Sequence, residues 1–241
     1  MELNKKMKVL VGAPISDLHE YCLDEFISSI KSLTYPNYDI LLIDNSKTKN
    51  LYNKLKNIIP IKRIPYVKEA RKRVTKSHNI LRKHVLDNNY DYLLNLDQDT
   101  IPPRDVIEKL LRHNKKFISG LYFGHHTLET GENKIMPFAW VFTEKKDFWG
   151  KVRYLDETEI WKPGLIKIAF AGAGCLLIHR DILKKIKFKY NPKIDAWDDR
   201  WIAYEAYKHG FEVFLDNTVR CKHLYLNRPF KWTNIKEKGA Y

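Results

Sequence analysis

Two short acidic clusters carry the clearest chemistry in this sequence: Asp97-Gln98-Asp99 and Asp198-Asp199. Asp97 and Asp99 follow the apolar run Tyr92-Leu93-Leu94-Asn95-Leu96. Two carboxylates one residue apart repel each other unless a cation or a hydrogen-bond donor sits between them. A hard divalent cation, Mn²⁺ or Mg²⁺, suits oxygen ligands of this kind when a diphosphate completes the shell. Such an ion would neutralise charge that develops on a leaving phosphate or diphosphate. A solvated turn also accounts for a bare Asp-x-Asp, and the buried strand ahead of it is what favours a site. Asp198-Asp199 opens a helical pattern, where acidic residues also answer to the helix dipole.

The elements around these clusters alternate. Lys8 to Val11 reads as a buried strand ending in a loop at Gly12-Ala13-Pro14. A helix follows, with Asp17 as its N-cap and Leu18, Tyr21, Cys22, Phe26, Ile27, Ile30 and Leu33 on one face. Ile40 to Ile43 is a second strand, ending in Asp44-Asn45-Ser46, and a short helix spans Leu51 to Ile58. Val67, Ala70, Val74, Leu81 and Val85 recur at helical spacing opposite a strongly basic face. Tyr92 to Leu96 is a third strand, followed by a helix over Asp105 to His113 and a strand over Phe117 to Phe123. This alternation implies an α/β fold: a mixed, mostly parallel sheet flanked by helices. In such sheets ligands bind at the carboxyl ends of strands, where Asp97 and Asp99 fall. After Gly124 the pattern becomes short aromatic-rich strands and loops, with no helix expected between Met136 and Ile168. A strand (Cys175 to Ile178), a helix (Asp181 to Ile186), a helix (Asp198 to His209) and a strand pair (Glu212 to Leu224) close the chain. The expectation is one domain over 1–241, with a nucleotide-binding half to about residue 124 and an acceptor-binding half after it.

Composition narrows the classes. The 241 residues are 44% hydrophobic, enough for one core without staples. Three scattered cysteines, Cys22, Cys175 and Cys221, argue for a reducing compartment rather than a disulfide framework. Met1 to Lys6 lacks a signal-peptide core, and the run Ile168 to Ile178 is too short to span a bilayer. The expected location is cytoplasmic. A net charge of +14 permits peripheral contact with the inner membrane face, a polyphosphate ligand, nucleic acid, or simply a lysine-rich surface.

Several segments, taken in order from Lys8 to about His223, resemble the GT-A-fold glycosyltransferases of family 2 and its relatives. They are Val9 to Pro14, Leu41 to Ser46, Glu69-Ala70-Arg71, Tyr90 to Asp99, Gly172 to Arg180, and Asp198-Asp199 with Gly210 after it. Each piece is weak alone, and their shared order gives the signal. The resemblance implies hexosyl transfer from a UDP- or GDP-linked sugar to a glycan, lipid or protein acceptor, with Mn²⁺ or Mg²⁺.

It also assigns roles. Pro14, Asp44, Arg71, Asp97, Gln98 and Asp99 would bind the donor, with Asp44 meeting the base and Arg71 the diphosphate or base. Asp99 would be the direct metal ligand, Asp97 would hold the ribose or a metal-bound water, and His223 would complete the metal site. Asp199 would take the proton from the acceptor hydroxyl beside Asp198, where the family more often has Glu. Gly172 and Gly174 would let sugar or acceptor approach the backbone, or simply form a tight turn. Trp197 is the expected sugar contact among Trp140, Trp149, Trp161 and Trp197, and His125-His126 falls at the rim. The tail Asn227 to Trp232 reads as a closing loop or a membrane-interface segment.

Other readings compete. Haloacid-dehalogenase phosphatases also place Asp-x-Asp after a strand, but near the N-terminus and followed by Gly-Thr, where this chain has Thr100-Ile101. Nucleotidyltransferases need a glycine-rich phosphate loop that Gly12-Ala13-Pro14-Ile15 does not supply. Nucleic-acid binding has only the basic helix Lys68 to Lys83 behind it, without a recognised motif or a stacking platform. A sugar-nucleotide-binding protein without catalysis keeps the same fold.

Overall fold

The computed structural model describes residues 7–127, 130–143 and 148–225. Its centre is an eight-stranded sheet. The strands are β1 (Val9–Ile15), β2 (Tyr38–Asp44), β3 (Ile61–Arg63), β4 (Tyr92–Leu96), β6 (Phe117–Leu121), β11 (Leu165–Ile168), β13 (Cys175–His179) and β14 (Val213–Arg220), in the order β11-β14-β6-β13-β4-β1-β2-β3. Pairing is parallel except where β13 lies antiparallel between β4 and β6, and where β11 lies antiparallel to β14. Small ladders join β5 (Thr100–Ile101) to β15 (Lys222–His223), β7 (Phe123–Thr127) to β8 (Asn133–Pro137), and β9 (Ala139–Phe142) to β10 (Val152–Tyr154) and β12 (Phe170–Ala171).

Helices cover both faces. On one side α1 (Leu23–Lys31), α2 (Asn50–Leu55) and α4 (Val106–Leu111) pack Phe26, Ile30, Leu51 and Leu110 against Val9, Val11 and Leu94. On the other, α3 (Ala70–Asp87), α6 (Arg180–Lys185) and α7 (Asp198–Lys208) pack Leu81, Val85, Ile182 and Ala203 against Leu10, Leu93 and Ile178. Each fully buried large aliphatic side chain contributes about 1.5–3 kcal/mol. The buried runs of β1 and β4 are therefore what fix the sheet's centre, and with it the acids that follow β4.

The structure differs from the sequence reading in several places. Gly12-Ala13-Pro14 continues β1 instead of leaving it as a loop. Pro14 is tolerated because the β4 ladder stops at Gly12–Asn95, beyond which β1 pairs only with β2. The cap of the first helical segment is Ser16, not Asp17, and it opens a 3-10 turn (Asp17–Cys22) that leaves Leu18 and Tyr21 exposed. Helix α3 buries a polar face: Arg73, Thr75, Ser77 and His78 join Leu81 and Val85, while Ala70 is exposed. A short helix, α5 (Glu157–Trp161), interrupts the region expected to lack one, held by a capping box of Asp156 and Glu159. Asn227 to Trp232 lies outside the described residues. Among the described residues no helix is long and apolar enough to cross a membrane.

Candidate active site

Because β13 runs against β4, its beginning meets the end of β4. Cys175 pairs with Leu96, and the Asp97 N–H donates to the Gly174 carbonyl at 3.4 Å. A cleft of about 430 Å³ opens at this edge, and Pro14, Asp97, Gln98, Asp99, Trp197, Asp198, Asp199 and His223 all line it. The motif at 97–99 and His223 at the end of β15, more than 120 positions apart in sequence, thus line one cleft.

Asp99 and His223 form the first corner. His223 Nε2 lies 3.4 Å from Asp99 Oδ2, and His19 Nε2 lies 3.9 Å from the same oxygen. His223 Nδ1 donates to the Phe123 carbonyl at 2.7 Å, which fixes the ring and turns Nε2 toward the carboxylate. Burial raises the Asp99 pKa, but the hydrogen bond and charge of His223, with His19 behind, outweigh it and hold Asp99 below the usual carboxylate range. Asp97 moves the other way, to about 6, through burial and then the charge of Asp99. This donor set fits a divalent ion: one committed carboxylate and one imidazole whose far nitrogen is already anchored to a carbonyl. An imidazole ligand suits Mn²⁺ better than Mg²⁺. Among the described residues no set of three His, Cys, Asp or Glu side chains is arranged to hold a metal ion by itself, so further ligands would have to come from a bound diphosphate or water.

Gln98 ties this corner to the loop after β1. Its Oε1 accepts from the Ser16 N–H at 2.7 Å, and its Nε2 donates to the His19 carbonyl at 2.9 Å. Both ends of the amide are thereby used, so Gln98 shapes the cleft wall.

Asp198 and Asp199 form the second corner, in the first turn of α7. Asp198 Oδ2 lies 2.7 Å from His78 Nδ1, and both side chains are buried. Burial lowers the His78 pKa, but the charge and hydrogen bond of Asp198 outweigh it and raise it. Asp199 is half-buried, and burial, then the charge of Asp198, push its pKa up to about 7. A carboxyl poised near neutrality is suited to accept a proton in this range.

The sequence pattern of Glycosyl transferase family 2 matches residues 20–187, well over half of the chain. The chain belongs to glycosyl transferase family 2. The matched span includes Asp97-Gln98-Asp99 and Gly172 to Gly174 and ends before Asp198 and His223. No curated protein matches. Among solved structures, this family 2 chain is similar to GalNAc-T7 with UDP, GalNAc and Mn²⁺, at 15% identity and a TM-score of 0.61, over 92% of this chain and 44% of that one. It is also similar to the mannosyltransferase PcManGT from Pyrobaculum calidifontis in complex with GDP-Man and Mn²⁺, at 12% identity and a TM-score of 0.58, over 98% of this chain and 62% of that one. At these identities the likeness shows the fold, which is that of GT-A enzymes. The family 2 chain spans less than two thirds of either neighbour's length.

Other expected residues of this family 2 chain fall outside the cleft wall. Asp44 is fully buried, with Oδ1 accepting from the Ser46 N–H at 2.9 Å and Oδ2 3.5 Å from Arg63 Nε. It organises the loop after β2, and Asn45 next to it lines the cleft instead. Arg71 pairs with Asp195 and lies 5.4 Å from the Trp197 ring, while Arg73 lines the cleft in its place. Gly172 and Gly174 make room for Tyr122: a Cβ on Gly172 would come within 2.1 Å of the Tyr122 hydroxyl, and one on Gly174 within 2.7 Å of its ring. Tyr122 lines the cleft, stacks on Phe138 and donates no space to spare. His126 packs among Phe138, Trp140 and Tyr154. Trp140 stacks on Phe170, Trp149 packs on Trp201, and Arg220 covers Trp161, leaving Trp197 as the cleft-lining tryptophan of the four.

His19, His78, Arg73 and Tyr122 were not singled out in the sequence. His78 had a readable signal: it shares the inward face of α3 with Leu81 and Val85, three and seven residues on. His19 had none beyond its place in the loop after the first strand.

Proposed function

We propose that this chain transfers a hexosyl group from a UDP- or GDP-linked sugar to a hydroxyl of a glycan, lipid or protein acceptor. One observation carries the reading: Asp99 with His223, and Asp199 with its raised pKa, line the same cleft at the end of β4. Both structural neighbours were solved with a nucleotide or nucleotide sugar and Mn²⁺, which agrees with such a site.

Asp99 and His223 would hold a divalent ion, Mn²⁺ in preference to Mg²⁺, and Asp97 would hold the ribose or a bound water. When present, the ion neutralises the charge that develops on the leaving diphosphate. Pro14, Asn45, Arg73 and the Gln98-braced loop would hold the nucleotide, and Trp197 would offer a flat face to a sugar ring. Asp199 would take the acceptor hydroxyl proton as that oxygen bonds to the anomeric carbon and the bond to the diphosphate oxygen breaks. Attack from the side opposite the diphosphate inverts the anomeric configuration. In this reading the residues before about 124 supply the donor wall, and those after it supply the base, Trp197 and His223.

The test is nucleotide release from a panel of UDP- and GDP-sugars with Mn²⁺. The expected result is release from at least one donor, lost in Asp99→Ala. Failure of every sugar nucleotide to bind, or full activity in Asp99→Ala, overturns the reading.

A further inference from the structure

His78 stands within the matched span 20–187, and the resemblance gives it no role. It is fully buried, and its Nε2 has no hydrogen-bond partner among the described residues. A buried polar atom left unpaired costs stability, and an apolar side chain of similar size avoids that cost. The retained imidazole therefore calls for a role other than packing.

Its other nitrogen identifies that role. Nδ1 meets Asp198 Oδ2 at 2.7 Å, and the two residues are 120 positions apart. His78 stands on α3, the helix that also presents Ala70, Arg73 and Val74 to the cleft. Asp198 is the first residue of α7, whose preceding residue, Trp197, makes no side-chain cap. Asp199 follows directly and faces the same cleft. The charged groups around His78 are Asp198, Asp97 and Asp199, all carboxylates, with the Phe188 ring packed 4.8 Å away.

We propose that His78 is a positioning residue for the transfer step: its bond to Asp198 fixes the first turn of α7 and so holds Asp199 at the acceptor hydroxyl. Asp198 is thereby the relay, and it is not a second base. The imidazole also offsets one of three neighbouring carboxylates, so the cleft can carry Asp97 and Asp199 together. This rests on the transferase reading above.

Asparagine and leucine at position 78 separate the terms. The Asn amide can donate from near the place of Nδ1, whereas Leu keeps only the volume. The readout is nucleotide release from UDP-N-acetylglucosamine and GDP-mannose with Mn²⁺, with binding of Mn²⁺–UDP and Mn²⁺–GDP followed by calorimetry. We expect His78→Leu to fold, to bind nucleotide within about 2-fold of wild type, and to lose about 30-fold or more in kcat, the behaviour of an interaction that acts on the chemical step. His78→Asn should recover most of that loss. In wild type, a strongly downfield His78 Nδ1 proton should be seen by NMR and should vanish in Asp198→Asn. An active wild type with unchanged kcat in His78→Leu overturns the inference alone, as does equal loss of kcat and nucleotide affinity. If His78→Leu does not fold, a kcat in His78→Asn no better than in Asp198→Ala overturns it. A wild type that binds no sugar nucleotide overturns the transferase reading and the inference with it.

Discussion

The side chain of Gln98 and the backbone of Ser16 are joined by a 2.7 Å hydrogen bond that ties the acidic motif to the exit of β1. The same amide also donates to the His19 carbonyl at 2.9 Å. One residue between two aspartates thus sets the position of the loop that faces them.

Gln98→Leu should leave the buried Ser16 N–H without its partner, while the His19 carbonyl keeps the Cys22 thiol at 3.1 Å. A buried group left unpaired costs about 1–3 kcal/mol. Urea denaturation should show a loss of that size, and calorimetry should show weaker binding of UDP or GDP. Stability unchanged from wild type would mean the loop holds itself.

His223→Ala should lower Mn²⁺ affinity, measured by EPR of free Mn²⁺, by about 10–100-fold, the range typical when a metal site loses a supporting group. The fold should persist, because His223 lies on a two-residue strand paired only with β5, outside the eight-stranded sheet. Chelation of the ion should abolish nucleotide release, and added Mn²⁺ should restore it. Equal Mn²⁺ affinity in wild type and variant removes His223 from the site.

Activity should rise with pH through about 7, because Asp199 must be ionised to accept a proton and its pKa is pushed up to about 7. The stability effect has the opposite direction. A carboxyl whose folded pKa lies above its unfolded value binds its proton more tightly when folded, so stability is lost as pH rises from about 4 to about 7. Asp199→Asn should therefore be inactive and yet about 1–3 kcal/mol more stable than wild type at pH 8, with little difference at pH 4. Melting curves at the two pH values check this. A variant equally stable at both would show that the carboxyl is not strained.

Gly172→Ala should destabilise the protein by about 1–3 kcal/mol, since the new methyl meets the Tyr122 hydroxyl at 2.1 Å. Tyr122→Phe removes that oxygen and should recover part of the loss in the double variant. Additive losses would show that the contact is relieved elsewhere.

The sequence carried much of the local structure. The limits of β4 were read as they stand, because Tyr92-Leu93-Leu94-Asn95-Leu96 is a continuous buried run between turn residues. The acids after it, the Asp198-Asp199 pair and His223 do converge on one cleft. What the sequence hid depends on partners far along the chain. Asp44 is committed to the Arg63 side, Arg71 to Asp195 and Asp198 to His78, and no spacing rule announces such pairs. The glycines at 172 and 174 were legible as close-approach positions. That the approaching group is Tyr122 follows only from the antiparallel insertion of β13.

That insertion also dictates an order of events during synthesis. Strand β6 has two sheet neighbours, β13 and β14, and both lie after residue 174 in the chain. Until they emerge from the ribosome, β6 has no place in the sheet and β4 presents an open edge. Pairings between such distant segments form late and leave unpaired edges prone to aggregation. The acidic motif is therefore made before β13 and β14 and waits for them, and a chain cut before residue 175 would display the aspartates without a cleft around them.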